Sequence, residues 1–328
     1  MGRGTGPRSL VAHSKKLGVA KAKALAFSKK MERRRKLGQL KENMVLPYTL
    51  VRYRLAVGWF FDWLSKNGFD LPNQTIDFDD VVCEAIEGAW AEGEPRGLIG
   101  MVLSGLEFEV QSLRGQLRAS WKLFRVWGAK EKPSRVPPFS TNATLAVSFY
   151  MWDWGYKAAA LATLLGFHRF LRTSEFVNAL VKHFIITKRG RGAHLMLENT
   201  KTGPLESISF SDPILIKVLV ILLRGRKGSE AFVGLSPYQY RNVFSAALRA
   251  VGLPPTFKPY SLRRGGASTY FRETGNMARA MELGRWKDLK TAKVYINLAL
   301  LDLTEQLSLD SSQLKATADY FHRLLERL

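Results

Sequence analysis

The sequence predicts a mainly α-helical protein with one small antiparallel β-sheet (an α+β class), in two domains behind a basic arm. Three observations carry this. Apolar residues recur at helical spacing over most of the chain. Three short β-like runs, 183–188, 193–199 and 205–210, are set apart by the turn-forming segments Arg189-Gly190-Arg191-Gly192 and Thr202-Gly203-Pro204. Finally, Lys132-Pro133-Ser134-Arg135-Val136-Pro137-Pro138 places three prolines in six residues, which a helix cannot accept. The expected parts are an arm at 1–45, a helical domain at 46–131, a linker at 132–138 and an α+β domain at 139–328. A length of 328 residues suits two domains.

The arm holds 13 Lys and Arg against two acids, including Lys15-Lys16, Lys29-Lys30 and the run Arg33-Arg34-Arg35-Lys36. It reads either as a solubilising or targeting segment or as a DNA-contacting arm. Residues 46–140 are close to neutral, whereas 141–328 carry 26 basic residues against 14 acidic ones. The whole chain has a net charge of +22, for which a polyanion partner is the simplest account.

Composition narrows the function further. A lone cysteine, Cys83, excludes a disulfide framework and a multi-thiolate zinc site. The five histidines show no metal-ligand spacing, so no metal and no cofactor are expected. No stretch approaches the ~18 consecutive apolar residues of a membrane span. The expectation is a soluble, intracellular protein with no membrane partner.

In the helical domain Leu50, Val57, Phe61 and Leu64 share one helical face, and Asn67-Gly68 closes that helix. A second helix is expected over 78–92, followed by a turn marked by Pro95, Gly97 and Gly100. Residues 111–128 are expected to form a third. There Leu113, Leu117, Trp121 and Phe124 make an apolar stripe beside the basic stripe Arg114, Arg118, Lys122 and Arg125. The basic stripe suits phosphates while the apolar one packs on the domain; an ordinary solvated face is the other reading.

The second domain opens with a helical stretch around 142–165. The three strands come next, with Lys201 at the tip of the second hairpin. Helices are then expected at 213–224, 236–251, 261–274, 277–284, 288–300 and 311–327. Along the last, Leu314, Ala318, Phe321, Leu325 and Leu328 recur at alternating steps of four and three. Such a terminal stripe can pack on its own domain or dock on a neighbouring copy.

Several residues of this domain resemble the active-site series of the tyrosine recombinases, the phage-integrase type. They are Arg172-Thr173-Ser174-Glu175, the hairpin lysine Lys201, Tyr260-Ser261-Leu262-Arg263, Gly284-Arg285-Trp286 and finally Tyr295. In that family an Arg-x-x-Glu helix start precedes a β-turn lysine. A His-x-x-Arg box follows, then a His or Trp, and the nucleophilic tyrosine lies nine residues beyond. Trp286 to Tyr295 is nine. The resemblance covers residues 141–300. The preceding helical domain is similar to the family's core-binding (SAM-like) domain in size, position and helicity. The departure is Tyr260, where the family most often has histidine.

The resemblance implies roles that the residue types support. Attack of a phenolate on a DNA phosphodiester builds a five-coordinate, doubly negative transition state. Two forked guanidiniums, Arg172 and Arg263, match its non-bridging oxygens. Lys201 is suited to protonate the leaving 5′-oxygen. Trp286 can donate its indole N–H to the phosphate without titrating, and Glu175 orients the cations. A phenol at Tyr260 can donate a hydrogen bond but is a poor base near neutral pH. Arg264, next to Arg263, is grouped with the helical-domain cations as a DNA contact.

The function so implied is site-specific cutting and rejoining of double-stranded DNA through a 3′-phosphotyrosine, for a mobile element, without metal. A homo-tetramer on paired sites, joined through the C-terminal helix, would follow, as would a DNA-associated location, nuclear in a eukaryote. Rivals are a catalytically impaired DNA-binding descendant, a type IB topoisomerase-like relaxing enzyme and an RNA-binding protein. The last is disfavoured because no aromatic strand pair of the RNP type is present.

Overall fold

The computed structural model describes residues 23–36, 38–72, 74–132, 135–187, 190–200 and 203–328, and the chain divides between Pro133 and Ser134 into two units. Lys201, Thr202 and most of the arm lie outside the described residues.

In the first unit an exposed helix α1 (23–36) precedes four others. Pro47, whose missing N–H is no loss at a helix start, opens α2 (Pro47–Asn67), and Gly68 closes it in the left-handed conformation (φ 70°). Helices α3 (Thr75–Ala91), α4 (Arg96–Glu109) and α5 (Arg118–Lys130) complete the unit. Its core gathers Phe60, Trp63, Val82, Ile86, Leu103, Leu106, Leu117 and Trp127.

Two expectations here need correction. The turn after α3 spans residues 92–95 and includes Pro95 as the N-cap of α4, but Gly97 and Gly100 lie inside α4 rather than in it. Helix propensity gives way to packing. A Cβ on Gly100 would press on the Phe124 ring at 3.1 Å, and one on Gly105 would reach Val57 at 2.8 Å, so small residues let α4 lie close to its neighbours. The expected helix over 111–128 begins only at Arg118, since Gly115 turns the chain with φ 77°. Arg114 is therefore off the helix, whereas Arg118, Lys122 and Arg125 are exposed along it. Asp79 of α3 fixes the start of α5. Its carboxylate accepts from the Ala119 and Ser120 amides at 2.8 and 3.1 Å and from the Ser120 hydroxyl at 2.5 Å.

The second unit begins with α6 (Thr141–Asp153) and α7 (Lys157–His168). The single helix expected over 142–165 is broken where Gly155 adopts φ 86°. Helix α7 is buried from Ala159 to Phe167 and forms the centre of the unit. Short α8 (Thr173–Val177) leads to strands β1 (Phe184–Ile186), β2 (Ala193–Thr200) and β3 (Gly203–Phe210). They form an antiparallel sheet in that order, with Phe184 opposite Leu195 and Leu195 opposite Ile208. The inward residues Leu195, Leu197, Ile208 and Phe210 alternate as a half-buried sheet requires.

Helices α9 (Pro213–Leu223), α10 (Pro237–Ala250), α11 (Tyr260–Thr274) and α12 (Met277–Gly284) follow. The helix expected over 288–300 is two, α13 (Leu289–Tyr295) and α14 (Leu298–Asp310), separated at Ile296 and Asn297. Asn297 caps α14 by accepting from the Leu300 amide at 3.0 Å.

The last helix, α15 (Ser312–Arg327), corrects the docking expectation. Leu314, Ala318, Phe321 and Leu325 are buried within their own unit, with Phe321 against the rings of Phe149 and Trp152 on α6. The apolar stripe is thus part of the core. Phe321→Ala should lower stability by about 3–5 kcal/mol, the usual cost of truncating a buried phenylalanine, measured by urea unfolding. A change below about 1 kcal/mol would contradict packing within the unit.

Candidate active site

Three segments of the second unit bring the site together. Arg172 is the N-cap of α8, and Glu175 stands one turn inside it. The Glu175 carboxylate accepts from the Arg172 amide at 2.7 Å and from Arg172 Nη1 at 2.6 Å, so one acid fixes both the helix start and the guanidinium.

Helix α11 supplies Tyr260, Arg263 and Arg264. It lies tight against backbone, because a Cβ on Gly265 or Gly266 would collide with the carbonyl oxygens of Phe139 and Phe167. That close approach sinks Arg263 to 0% exposure. A buried guanidinium needs partners. Nη1 donates to the Phe170 carbonyl and Nη2 to the Gly284 carbonyl, each at 2.5 Å. Burial, then the neighbouring charges of Arg172 and Arg285, pushes the Arg263 pKa down to about 10, which leaves it charged at neutral pH.

The α12–α13 connection supplies Trp286, and α13 carries Tyr295 at its last position. The Trp286 and Tyr295 rings lie 4.6 Å apart, and Phe170 stacks near Trp286 with an interplanar angle of 12°. The Arg263 Cζ sits 5.2 and 5.1 Å from the Trp286 and Tyr295 ring centres. Behind Tyr295, the Ser268 hydroxyl donates to its carbonyl at 3.4 Å and accepts from the Asn297 amide at 3.0 Å, which anchors the end of α13. The Trp286 indole N–H is buried without an acceptor among the described residues. An anion oxygen would satisfy it.

Tyr260 stands on the exposed side at 40% exposure, its ring 5.7 Å from that of Tyr295. Its pKa is raised, first by burial of the hydroxyl and then by its hydrogen bond with Tyr295 and the charge there. Tyr260 therefore holds its proton more firmly than an ordinary phenol.

The structure therefore brings together Arg172, Glu175, Tyr260, Arg263, Trp286 and Tyr295. Lys201 lies outside the described residues, although β2 ends at Thr200 and β3 begins at Gly203. Arg264 follows Arg263 inward and is 3% exposed; its pKa is lowered by burial, then by Arg135. Arg114, Arg118, Lys122 and Arg125 belong to the first unit and are exposed there.

Two residues of the site were not singled out from sequence. Arg285 donates from Nη2 to Glu175 Oε2 at 2.5 Å, and its Nε lies 3.1 Å from Glu206 Oε2 on β3. Phe170 gives Arg263 its carbonyl acceptor. Among the described residues, Phe170 (φ 48°) and Arg285 (φ 53°) are the non-glycine residues with positive φ, and both lie here. A left-handed bulky residue leaves no mark in composition or periodicity. The three guanidiniums Arg172, Arg263 and Arg285 face two carboxylates, Glu175 and Glu206, leaving a surplus of one positive charge beside Tyr295. Such a site favours a dianionic centre. Among the described residues no group of His, Cys, Asp or Glu is placed to hold a metal ion.

No family model matches the sequence, and no curated protein is significantly similar to it. Solved structures do resemble the fold. A lambda integrase dimer bound to a COC′ core site aligns with a TM-score of 0.57 at 16% identity, over 91% of this chain and 89% of that one. The Tn1549 transposon integrase in complex with transposon right end DNA aligns at 0.53 and 15% identity, over 85% and 96%. At these identities the likeness is one of fold, and the fold is that of the tyrosine recombinases.

Proposed function

We propose that this chain is a site-specific DNA recombinase that cuts and rejoins duplex DNA through a covalent 3′-phosphotyrosine at Tyr295. The observation that carries the reading is the surplus of buried positive charge around the Tyr295 ring, with Arg263 held by backbone carbonyls and Arg172 by Glu175. Those guanidiniums cost no reorganisation when the transition state forms, which is what electrostatic preorganisation requires. Tyr295, its phenolic proton given up to water, attacks phosphorus as the phenolate, the bond to the 5′-oxygen breaks, and Lys201 supplies the proton that oxygen takes up. Trp286 donates its indole N–H to the phosphate. Tyr260 donates a hydrogen bond where a histidine would often stand. The phosphotyrosine conserves the bond, and attack by a 5′-hydroxyl reverses the step.

The lambda and Tn1549 integrases were solved with DNA, and we assign the same partner here. The exposed Arg118, Lys122 and Arg125 of the first unit are assigned to phosphates, as are the off-helix Arg114 and the arm. Arg264, expected from the sequence as a DNA contact, is 3% exposed and is not assigned to the phosphates here. The helical domain 46–131 and the catalytic domain 139–328 would each bind duplex. Pairing of two sites is assigned to a homo-tetramer.

The test is a covalent trap. The full chain is incubated with nicked duplexes cut from the DNA flanking its own gene, and the products are run under denaturing conditions. A protein–DNA adduct at one defined sequence supports a recombinase. Relaxation of any supercoiled plasmid without sequence preference would favour a topoisomerase-like enzyme, and binding without any adduct an impaired descendant, the reading that Tyr260 in place of histidine favours.

A further inference from the structure

Arg285 counts toward the positive surplus of the site but is assigned no contact with the reacting atoms, and its setting is tightly constrained. Its backbone is left-handed, φ 53° and ψ 45°. That region costs a side-chain-bearing residue about 1–2 kcal/mol and costs glycine nothing. The chain nevertheless places a long cation there, with its side chain 11% exposed. One guanidinium joins three segments: the end of α12, Glu175 at the start of α8 and Glu206 on β3.

The effect on Arg172 follows from counting oxygens. Glu175 Oε2 is taken by Arg285 Nη2 and by the Arg172 amide, so only Oε1 remains for the Arg172 side chain. Arg172 is held through Nη1, and its Nη2 and Nε make no hydrogen bond among the described residues. Were Arg285 absent, Glu175 could turn both oxygens to Arg172 in the fork-to-fork geometry that arginine and carboxylate favour. The donors needed by the phosphate would then be consumed.

We propose that Arg285 is a positioning residue: it keeps Glu175 from sequestering Arg172, and through Glu206 it ties strand β3 to the same centre. This rests on the recombinase reading of Tyr295.

Arg285→Gly tests it, because glycine accepts the left-handed backbone and removes only the side chain. The expected result is single-turnover cleavage about 10- to 100-fold slower, the range found when a residue orienting a metal ligand is removed, with unchanged DNA affinity and a lowered melting temperature that still leaves the chain folded at the assay temperature, since Glu175 loses a buried partner. Guanidinium ion added to Arg285→Gly should restore part of the rate, which a purely structural role would not predict. Glu206→Gln, which leaves the backbone alone, should slow cleavage severalfold and add little to Arg285→Gly, since both act through one ion pair. Wild-type cleavage rates in Arg285→Gly and Glu206→Gln, or losses that only follow the unfolded fraction, would overturn the proposal. If the wild-type chain forms no adduct, the recombinase reading fails and this role falls with it. An adduct at normal rate in both variants removes Arg285 alone.

Discussion

Tyr295→Phe is expected to abolish the covalent protein–DNA adduct while leaving the fold and DNA affinity nearly unchanged. The substitution deletes one hydroxyl and keeps the ring that packs 4.6 Å from Trp286 and under Arg263. DNA affinity comes from many phosphate contacts, of which this hydroxyl is at most one. No other group at the site can replace the attacking oxygen. Tyr260 is the nearest phenol, and burial, then Tyr295, raises its pKa above the ordinary phenol value. Tyr260→Phe should therefore slow cleavage without ending it. Denaturing gels on a nicked duplex measure both variants, and an adduct that survives Tyr295→Phe but vanishes with Tyr260→Phe would reverse the assignment.

Arg263→Ala is expected to fail twice, in chemistry and in stability, whereas Arg172→Ala should fail in chemistry alone. Loss of one preorganised donor to a developing oxyanion costs about 10²–10³ in rate, and either arginine offers a forked pair. Arg263 is also built into the core. Its removal strands the carbonyls of Phe170 and Gly284, at about 1–3 kcal/mol for each unsatisfied group, and opens a cavity under Trp286. Arg172 is partly exposed and rests on Glu175 by a single side-chain contact, so its loss leaves the core intact. Thermal melting beside single-turnover cleavage separates the two. Equal melting temperatures would show that the Arg263 carbonyl contacts contribute little.

Much of this fold was legible because its signals are local. Asn67-Gly68 closes α2, and the β-like runs became β1 to β3 within a residue or two. The nine-residue step from Trp286 to Tyr295 runs through a short connection and α13 and leaves the two rings 4.6 Å apart. What escaped is tertiary in origin. Gly97 and Gly100 look like turn residues until α4 is seen lying against Phe124. Gly155 and Gly115 interrupt helices that periodicity carried through, since period counting does not register φ. The stripe on α15 was readable, but nothing in it distinguishes a partner from its own core; Phe149 and Trp152 of α6 do. Arg285 and Glu206 meet across segments far apart in sequence, and Phe170 contributes a carbonyl, which every residue has.

The most direct test of the account is to find the atom that holds the DNA. The trapped adduct is digested with protease and nuclease, and the peptide bearing the nucleotide remnant is sequenced by mass spectrometry. The account predicts a 3′-phosphate ester on the tyrosine of the peptide spanning α13, at Tyr295. An ester on Tyr260, on a serine, or on no residue of this chain would contradict it.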